Sequence, residues 1–249
     1  MTDIIISGAN GQMGRVIADC IAMRDDCKVV AGIDVVTTAY SDFPIYSSIS
    51  DCTQKADVII DFSHPSVLDG LLDYAIDTNT PIVLSTTGFS DSQIEIIKET
   101  AKKVAVFFSF NMSLGINLMV ELAKKATAVL GDQFDIEIIE KHHNQKIDAP
   151  SGTAIMLVDA INEARETALI PTFDRHSSRK KRSQNEIGVH AVRCGTIVGE
   201  HEIIFSGRDE IVTISHSARS KEIFAVGSIN AAIFLNGRSA GLYSMSELI

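Results

Sequence analysis

Residues 4–14 read I-I-I-S-G-A-N-G-Q-M-G, and the fold is decided there. Ile4, Ile5 and Ile6 form a short apolar run, as a strand buried on both faces does. It ends at Gly8, and a helix-compatible stretch follows from Gln12 to Met23. Gly8, Gly11 and Gly14 therefore occupy a strand-to-helix turn, where the backbone must bend tightly and approach a pyrophosphate. The helix start offers unpaired N–H groups and a positive dipole end to phosphates. The spacing is G-x-x-G-x-x-G rather than G-x-G-x-x-G, so context has to carry the reading. A second apolar run, Lys28 to Ile33, stops at Asp34, about twenty residues beyond Gly14. An acid at that place suits ribose hydroxyls.

Outward from this turn the first half continues to alternate. Strands are expected at 57–62 and 80–85 and again at 104–108. Helices are expected from Pro65 to about Thr78 and over 91–103, and 35–56 reads as irregular. Such alternation means βαβ units and a doubly wound, Rossmann-type parallel sheet. From about 112–115 the character changes. A helix over 115–130 precedes F-D-I-E-I-I-E-K-H-H, which alternates like a strand with one solvated face. Another helix begins near Ser151. Strand runs crowd Gly188 to His216 without a helix between them, and a last helix spans about 220–234. The expectation is a second, smaller α+β domain with a mixed sheet.

Composition narrows the function classes. The 249 residues carry 22 Lys and Arg against 32 Asp and Glu, a formal charge of −10. That field disfavours nucleic acid and anionic membranes. The run R-H-S-S-R-K-K-R at 175–182 lacks interleaved aromatics and reads as a solvated loop. No leader or spanning segment is visible, so a cytoplasmic protein is expected. Cys20, Cys27, Cys52 and Cys194 show neither disulfide nor zinc spacing and read as free thiols in or near the core.

The segment 140–154, E-K-H-H-N-Q-K-I-D-A-P-S-G-T-A, carries the chemistry. Lys141, His142, His143 and Lys146 gather cationic or protonatable groups on an acidic chain. Ser151 can cap the following helix, and Gly152 and Thr153 leave amides open for a carboxylate. No metal is expected, because adjacent histidines on a strand point to opposite faces. Two further loops, Ser85-Thr86-Thr87-Gly88 and Ser109-Phe110-Asn111-Met112, follow the carboxyl ends of expected parallel strands, where a dinucleotide lies.

These motifs together resemble the 4-hydroxy-tetrahydrodipicolinate (dihydrodipicolinate) reductase family along essentially the whole chain. The resemblance rests on GANGQMG at 8–14, STTGF at 85–89, FNMSLGIN at 110–117, the 140–154 block and RCGTIVGEH at 193–201. It implies His142 as general acid/base and Lys146 as a catalytic lysine that donates a proton and holds substrate. His143, Ser151, Gly152 and Thr153 would bind substrate. Gly8, Ala9, Asn10, Gly11, Gln12, Met13, Asp34, Ser85, Thr86, Thr87, Ser109, Phe110, Asn111 and Met112 would contact the cofactor. It further implies a cofactor domain of 1–113 to which a C-terminal helix at 220–249 returns. The segment 114–219 would bind a small dicarboxylate and form the core of a homotetramer. Val35 stands where many relatives carry arginine, and Asp34 would repel a 2′-phosphate, so NADH is favoured over NADPH. The competing expectations are a two-domain amino-acid or imine dehydrogenase and a non-catalytic NAD-binding sensor.

Overall fold

Ile4, Ile5 and Ile6 are completely buried in β1 (Thr2–Ser7), an interior strand of the sheet that their run predicts. Full burial of each such side chain contributes about 1.5–3 kcal/mol. The computed structural model describes residues 1–249. Its first elements are α1 (Gln12–Ala22), β2 (Cys27–Ile33), β3 (Ile45–Tyr46), β4 (Val58–Asp61), α2 (Leu68–Thr78), β5 (Ile82–Leu84), α3 (Asp91–Ala101) and β6 (Ala105–Phe108). They are followed by α4 (Leu114–Leu130), β7 (Asp135–His142), α5 (Gly152–Glu163), β8 (Ile170–Thr172), β9 (Glu186–Arg193), β10 (Gly199–Ser206) and β11 (Ile211–Ala218). The chain closes with α6 (Glu222–Leu235) and β12 (Gly241–Tyr243). Two units result: Met1–Leu114 with Lys221–Ile249, and Gly115–Ser220.

The first unit is a parallel sheet of order β12-β6-β5-β4-β1-β2-β3. The order reverses between β1 and β4, and open α/β sheets bind ligands outside the carboxyl ends at such a switch point. One apolar layer joins Ile17 and Ile21 of α1 to Ala225, Ile229 and Leu235 of α6. The other joins Leu71 and Leu72 of α2 to Ile97 of α3 and the opposite side of the strands. Sheet burial on both faces is why these strands read as unbroken apolar runs.

Several expectations need correction here. Residues 35–56 are not wholly irregular, because Ile45 and Tyr46 add a parallel edge strand beside Gly32 and Ile33. Pro65–Val67 is a 3-10 turn, and α2 starts only at Leu68. The returning C-terminal segment is not one helix: α6 stops at Leu235, and Gly241–Tyr243 pairs with β6. Cys20 and Cys27 are buried and Cys52 is partly so, but Cys194 is exposed in the turn after β9.

The second unit is a mixed five-stranded sheet of order β11-β10-β7-β9-β8. Here β10 is antiparallel to β7 and β11, while β9 is parallel to β7 and β8. The period of two in β7 buries Ile136, Ile138, Glu140 and His142 on one face. The lower part of that face packs Ile203 and Phe205 against Leu157 and Ile161 of α5. The polar pair Glu140 and His142 closes its upper end. No helix of the chain is long and apolar enough to cross a membrane.

Candidate active site

In the first unit the glycine turn follows β1. Gly8 has φ +80°, and an added Cβ would lie 2.4 Å from the Phe62 carbonyl oxygen. Gly14 is tighter still, with an added Cβ 2.2 Å from the Gly8 carbonyl oxygen. The turn is fastened by Gly8 and Ala9 N–H groups donating to the Ile33 carbonyl, at 2.8 and 3.1 Å. The Asp34 carboxylate accepts the Asn10 N–H at 2.9 Å and the Val36 N–H at 3.0 Å, so it also braces the turn. Gly11 caps α1 with no side-chain bond to its first amides, the open amide arrangement that a phosphate requires. A cleft of about 670 Å³ opens here, lined by Gly8, Gly11, Asp34, Val35, Ser63 and His64 among others. Its size suits a cofactor.

The other residues expected at the cofactor divide by exposure. Asn10, Gly11, Gln12 and Met13 lie at the turn and the start of α1, and Gln12 accepts from Lys221 at 3.1 Å. Ala9 and Met112 are buried in the core, so only their backbones can face a ligand. Thr86 is also buried. Its hydroxyl donates to Asp61 at 2.7 Å and accepts the Ser63 N–H at 2.8 Å, which pins the loops after β4 and β5 together. Burial pushes the Asp61 carboxyl up, against hydrogen bonds from Ser63, Thr86 and Ser7. The Ser85 hydroxyl is buried with no protein partner, while Thr87 is exposed. Ser109 donates to the Asn111 carbonyl at 2.9 Å, and Phe110 is exposed against Phe108.

In the second unit β7, β9, β10 and the start of α5 meet around Glu140. Strand register sets His201 opposite Glu140 and Arg193 opposite His142. His142 Nδ1 lies 2.6 Å from Glu140 Oε2. Arg193 binds both carboxylate oxygens, at 2.7 and 2.8 Å. The Ser151 N–H donates to Glu140 Oε1 at 3.0 Å, and the Ser151 hydroxyl lies 3.1 Å from His201 Nε2. Ser151 also caps α5 by accepting the Ala154 N–H at 3.2 Å. Both its polar groups are thus committed inside the protein, whereas Gly152 is exposed and Thr153 half-buried. The His143 carbonyl accepts the Lys146 N–H at 3.1 Å, turning the loop back, and Lys146 Nζ pairs with Asp148 at 2.9 Å.

The electrostatics follow from this geometry. Burial pushes Glu140 up, but hydrogen bonds from Arg193, His142 and Ser151 outweigh it and hold the carboxyl below its usual range. Burial lowers His142, with Lys146 and Arg193 adding to that effect and Glu140 opposing it. Burial pushes His201 down to about 4, helped by His142 and opposed by Glu140. The folded protein then binds fewer protons than the unfolded chain between about pH 6.5 and pH 4. Its stability contribution is present above the unfolded value and is lost as pH falls towards 4, about 3 kcal/mol in all. Urea midpoints from pH 7.5 to 4.5 test this. His201→Gln should show the flatter profile, and equal slopes would contradict the assignment.

Sequence alone does not mark Glu140, Arg193, His201 or Asp61 as site residues. The alternation of β7 does place Glu140 and His142 on one face, but Arg193 and His201 join them only through register. The basic run is largely engaged at its ends: Arg175 pairs with Glu186, and Arg182 with Asp135 and Glu137.

A glycine turn at a Rossmann switch point, joined in one chain to a mixed-sheet unit with a buried His–Glu site, is the plan of a two-domain nucleotide-fold protein with a titratable site in its second unit. Within that class, the models "Dihydrodipicolinate reductase, N-terminus" and "Dihydrodipicolinate reductase, C-terminus" match residues 2–112 and 115–249, and the chain belongs to the dihydrodipicolinate reductase family. A 4-hydroxy-tetrahydrodipicolinate reductase of Caldanaerobacter subterraneus subsp. tengcongensis is 47% identical over 249 residues, covering 100% of this chain and 98% of the relative. One from Clostridium novyi is 46% identical with the same coverage. Among solved structures, a dipicolinate-bound dihydrodipicolinate reductase from Paenisporosarcina sp. TG-14 matches with TM-score 0.83 and 26% identity, covering 100% of this chain and 99% of that one.

Proposed function

We propose that this chain catalyses the NAD(P)H-dependent reduction of 4-hydroxy-tetrahydrodipicolinate to tetrahydrodipicolinate, the activity after which its relatives are named, as a step of lysine and diaminopimelate biosynthesis. One NAD(P)H and one proton are consumed per substrate, and one water leaves. The observation that carries the reading is the cluster of His142, Lys146 and the Ser151–Thr153 helix start, in a chain that matches this family from end to end. The turn at 8–13, Asp34 and the loops at 85–87 and 109–112 would hold the dinucleotide, with Ala9 and Met112 contributing backbone only. When bound, its nicotinamide supplies the hydride, which is the cofactor's chemistry rather than the protein's.

The chain's own residues then have distinct tasks. His142 exchanges a proton with the reacting ring through its free nitrogen. Lys146 can release Asp148 and take a substrate carboxylate, because a pair to an exposed aspartate contributes little. The Gly152 and Thr153 amides at the start of α5 favour a second carboxylate. His143 lines the same loop. The expected homotetramer belongs to this reading and is supported by β11, an edge strand with Ile211 exposed.

NADH is the favoured cofactor. Asp34 places a carboxylate where a 2′-phosphate would sit, and the Arg15 guanidinium is already engaged by Asn10 and the Tyr40 ring. Val35 is 90% exposed on the cleft, so Val35→Arg can fold unchanged and present a guanidinium there. It should raise the NADPH-to-NADH ratio of kcat/KM about tenfold or more, a gain of about 1.4 kcal/mol. An unchanged ratio would remove Val35 from cofactor choice.

A coupled assay tests the whole reading. Purified dihydrodipicolinate synthase generates the unstable substrate in place from pyruvate and aspartate semialdehyde, and nicotinamide oxidation is followed. Oxidation that requires the synthase supports the assignment. Folded protein that binds NADH yet oxidises neither cofactor overturns it.

A further inference from the structure

We propose that Glu140, clamped by Arg193, is the positioning residue that fixes the ring orientation and tautomer of His142; this rests on the reading of His142 as the acid/base group. Glu140 is completely buried, on the same face of β7 as the apolar residues Ile136 and Ile138. An ionised carboxylate there costs several kcal/mol unless its charge is fully paired. A purely structural core position in this row would be served at lower cost by an apolar side chain. Instead the carboxylate takes four directional hydrogen bonds from three residues. Oε2 takes His142 Nδ1 at 2.6 Å and Arg193 Nη1 at 2.8 Å. Oε1 takes Arg193 Nη2 at 2.7 Å and the Ser151 N–H at 3.0 Å.

Two consequences follow for the chemistry. An anionic carboxylate can only accept, so Nδ1 must carry the proton and Nε2 is left to exchange one with substrate. Gly199 stands on the Nε2 side, where an added Cβ would lie 3.2 Å from that nitrogen, so the absence of a side chain keeps that edge clear. The same carboxylate also fixes Ser151, so the acid/base nitrogen and the start of α5 are located by one group. Arg193 extends the frame by donating to the Asp148 carbonyl at 2.6 Å, beside Lys146 in the loop. This is the logic of a carboxylate that orients a catalytic imidazole and stabilises its protonated form.

The groups facing His142 are Glu140 on its own strand, Arg193 on β9, His201 on β10, and Lys146 with Asp148 in the loop. Among these only Glu140 and Asp148 are anionic, and of the two only Glu140 hydrogen-bonds the ring, while the neutral His201 ring packs edge-on against it with centroids 5.2 Å apart. Glu140→Gln should therefore lower the pH at which His142 titrates. A glutamine amide can also donate to Nδ1, which moves the proton to Nε2.

The test combines two readouts on the full-length enzyme. Nitrogen-15 NMR of histidine-labelled protein reports the His142 tautomer without any substrate. The coupled assay gives kcat, KM and the pH profile. The wild type should show the Nδ1–H form, and Glu140→Gln should populate the Nε2–H form. In the same variant kcat should fall about 100-fold or more with KM within a few-fold, and the His142 limb of the profile should move to lower pH. Glu140→Asp keeps the charge and should recover part of kcat. If neither variant folds, an Nε2–H tautomer in the wild type would itself overturn the proposal. A folded Glu140→Gln enzyme with unchanged tautomer, or with changed tautomer and unchanged kcat, also overturns it. Expected tautomer behaviour in a wild type inactive on this substrate supports the positioning role and sinks the substrate reading instead.

Discussion

Gly14→Ala is expected to lose nucleotide binding and a large part of the first unit's stability together. The added methyl would sit 2.2 Å from the Gly8 carbonyl oxygen, 2.7 Å from Ala9 Cα and 2.8 Å from the Ala9 carbonyl oxygen. All three are backbone atoms of the turn, so no side chain can swing away to make room. Either α1 moves off β1 or the turn opens. The first exposes the layer that Ile17 and Ile21 share with α6. The second breaks the bonds from Gly8 and Ala9 to the Ile33 carbonyl and from Asn10 to Asp34. Forcing one carbon into a packed site typically costs about 1–3 kcal/mol, and here the neighbours cannot give, so the upper end applies. NADH affinity should fall at least about 100-fold, because the amides at the start of α1 no longer converge on one point. Fluorescence titration with NADH and urea unfolding measure the two effects separately. Unimpaired NADH binding by folded Gly14→Ala would show that the turn does not hold the dinucleotide.

What could be read in advance follows from how local each feature is. V-I-I-D at 58–61 announces a central strand because a parallel sheet covered by helices buries both faces. The glycine turn is legible because its three glycines fall between an apolar run and a helix-compatible stretch, with Asp34 ending the next run, all within 34 residues of continuous sequence. The edge strands β3, β8 and β12 are two or three residues long, too short to show any period, and exist only because a neighbouring strand offers hydrogen bonds. Cys194 illustrates a different failure. Free cysteine is usually buried, but this one falls in the turn beyond β9, where the chain leaves the sheet. The site around His142 divides in the same way. His142, Lys146 and Ser151 are close in sequence and read as one block. Arg193 and His201 are brought in by the pairing of β9 and β10 with β7, across more than 50 residues. Their own surroundings in sequence give no sign of a carboxylate partner.

His142→Gln and Lys146→Ala are expected to remove catalysis while leaving NADH affinity intact, since neither residue belongs to the unit that carries the glycine turn. The two losses should differ in kind. His142 stands in a buried, carboxylate-linked position with one nitrogen committed to Glu140. Glutamine keeps a polar group there but has no titratable nitrogen, so kcat should fall by about 10²–10⁴ with KM little changed. Lys146 is a point charge on a flexible stem, paired with the exposed Asp148 at 2.9 Å. Its removal takes away both a carboxylate anchor and a proton source, so KM should rise as kcat falls. Lys146→Arg should recover KM better than kcat, because a guanidinium binds a carboxylate but does not surrender its proton. The double variant should lose no more than the worse single one if the two groups act in one step. Steady-state kinetics with NADH, alongside NADH titration, reads all of these. A His142→Gln enzyme retaining more than about a tenth of wild-type kcat would leave the buried imidazole without a role in proton transfer and move attention to Lys146 alone.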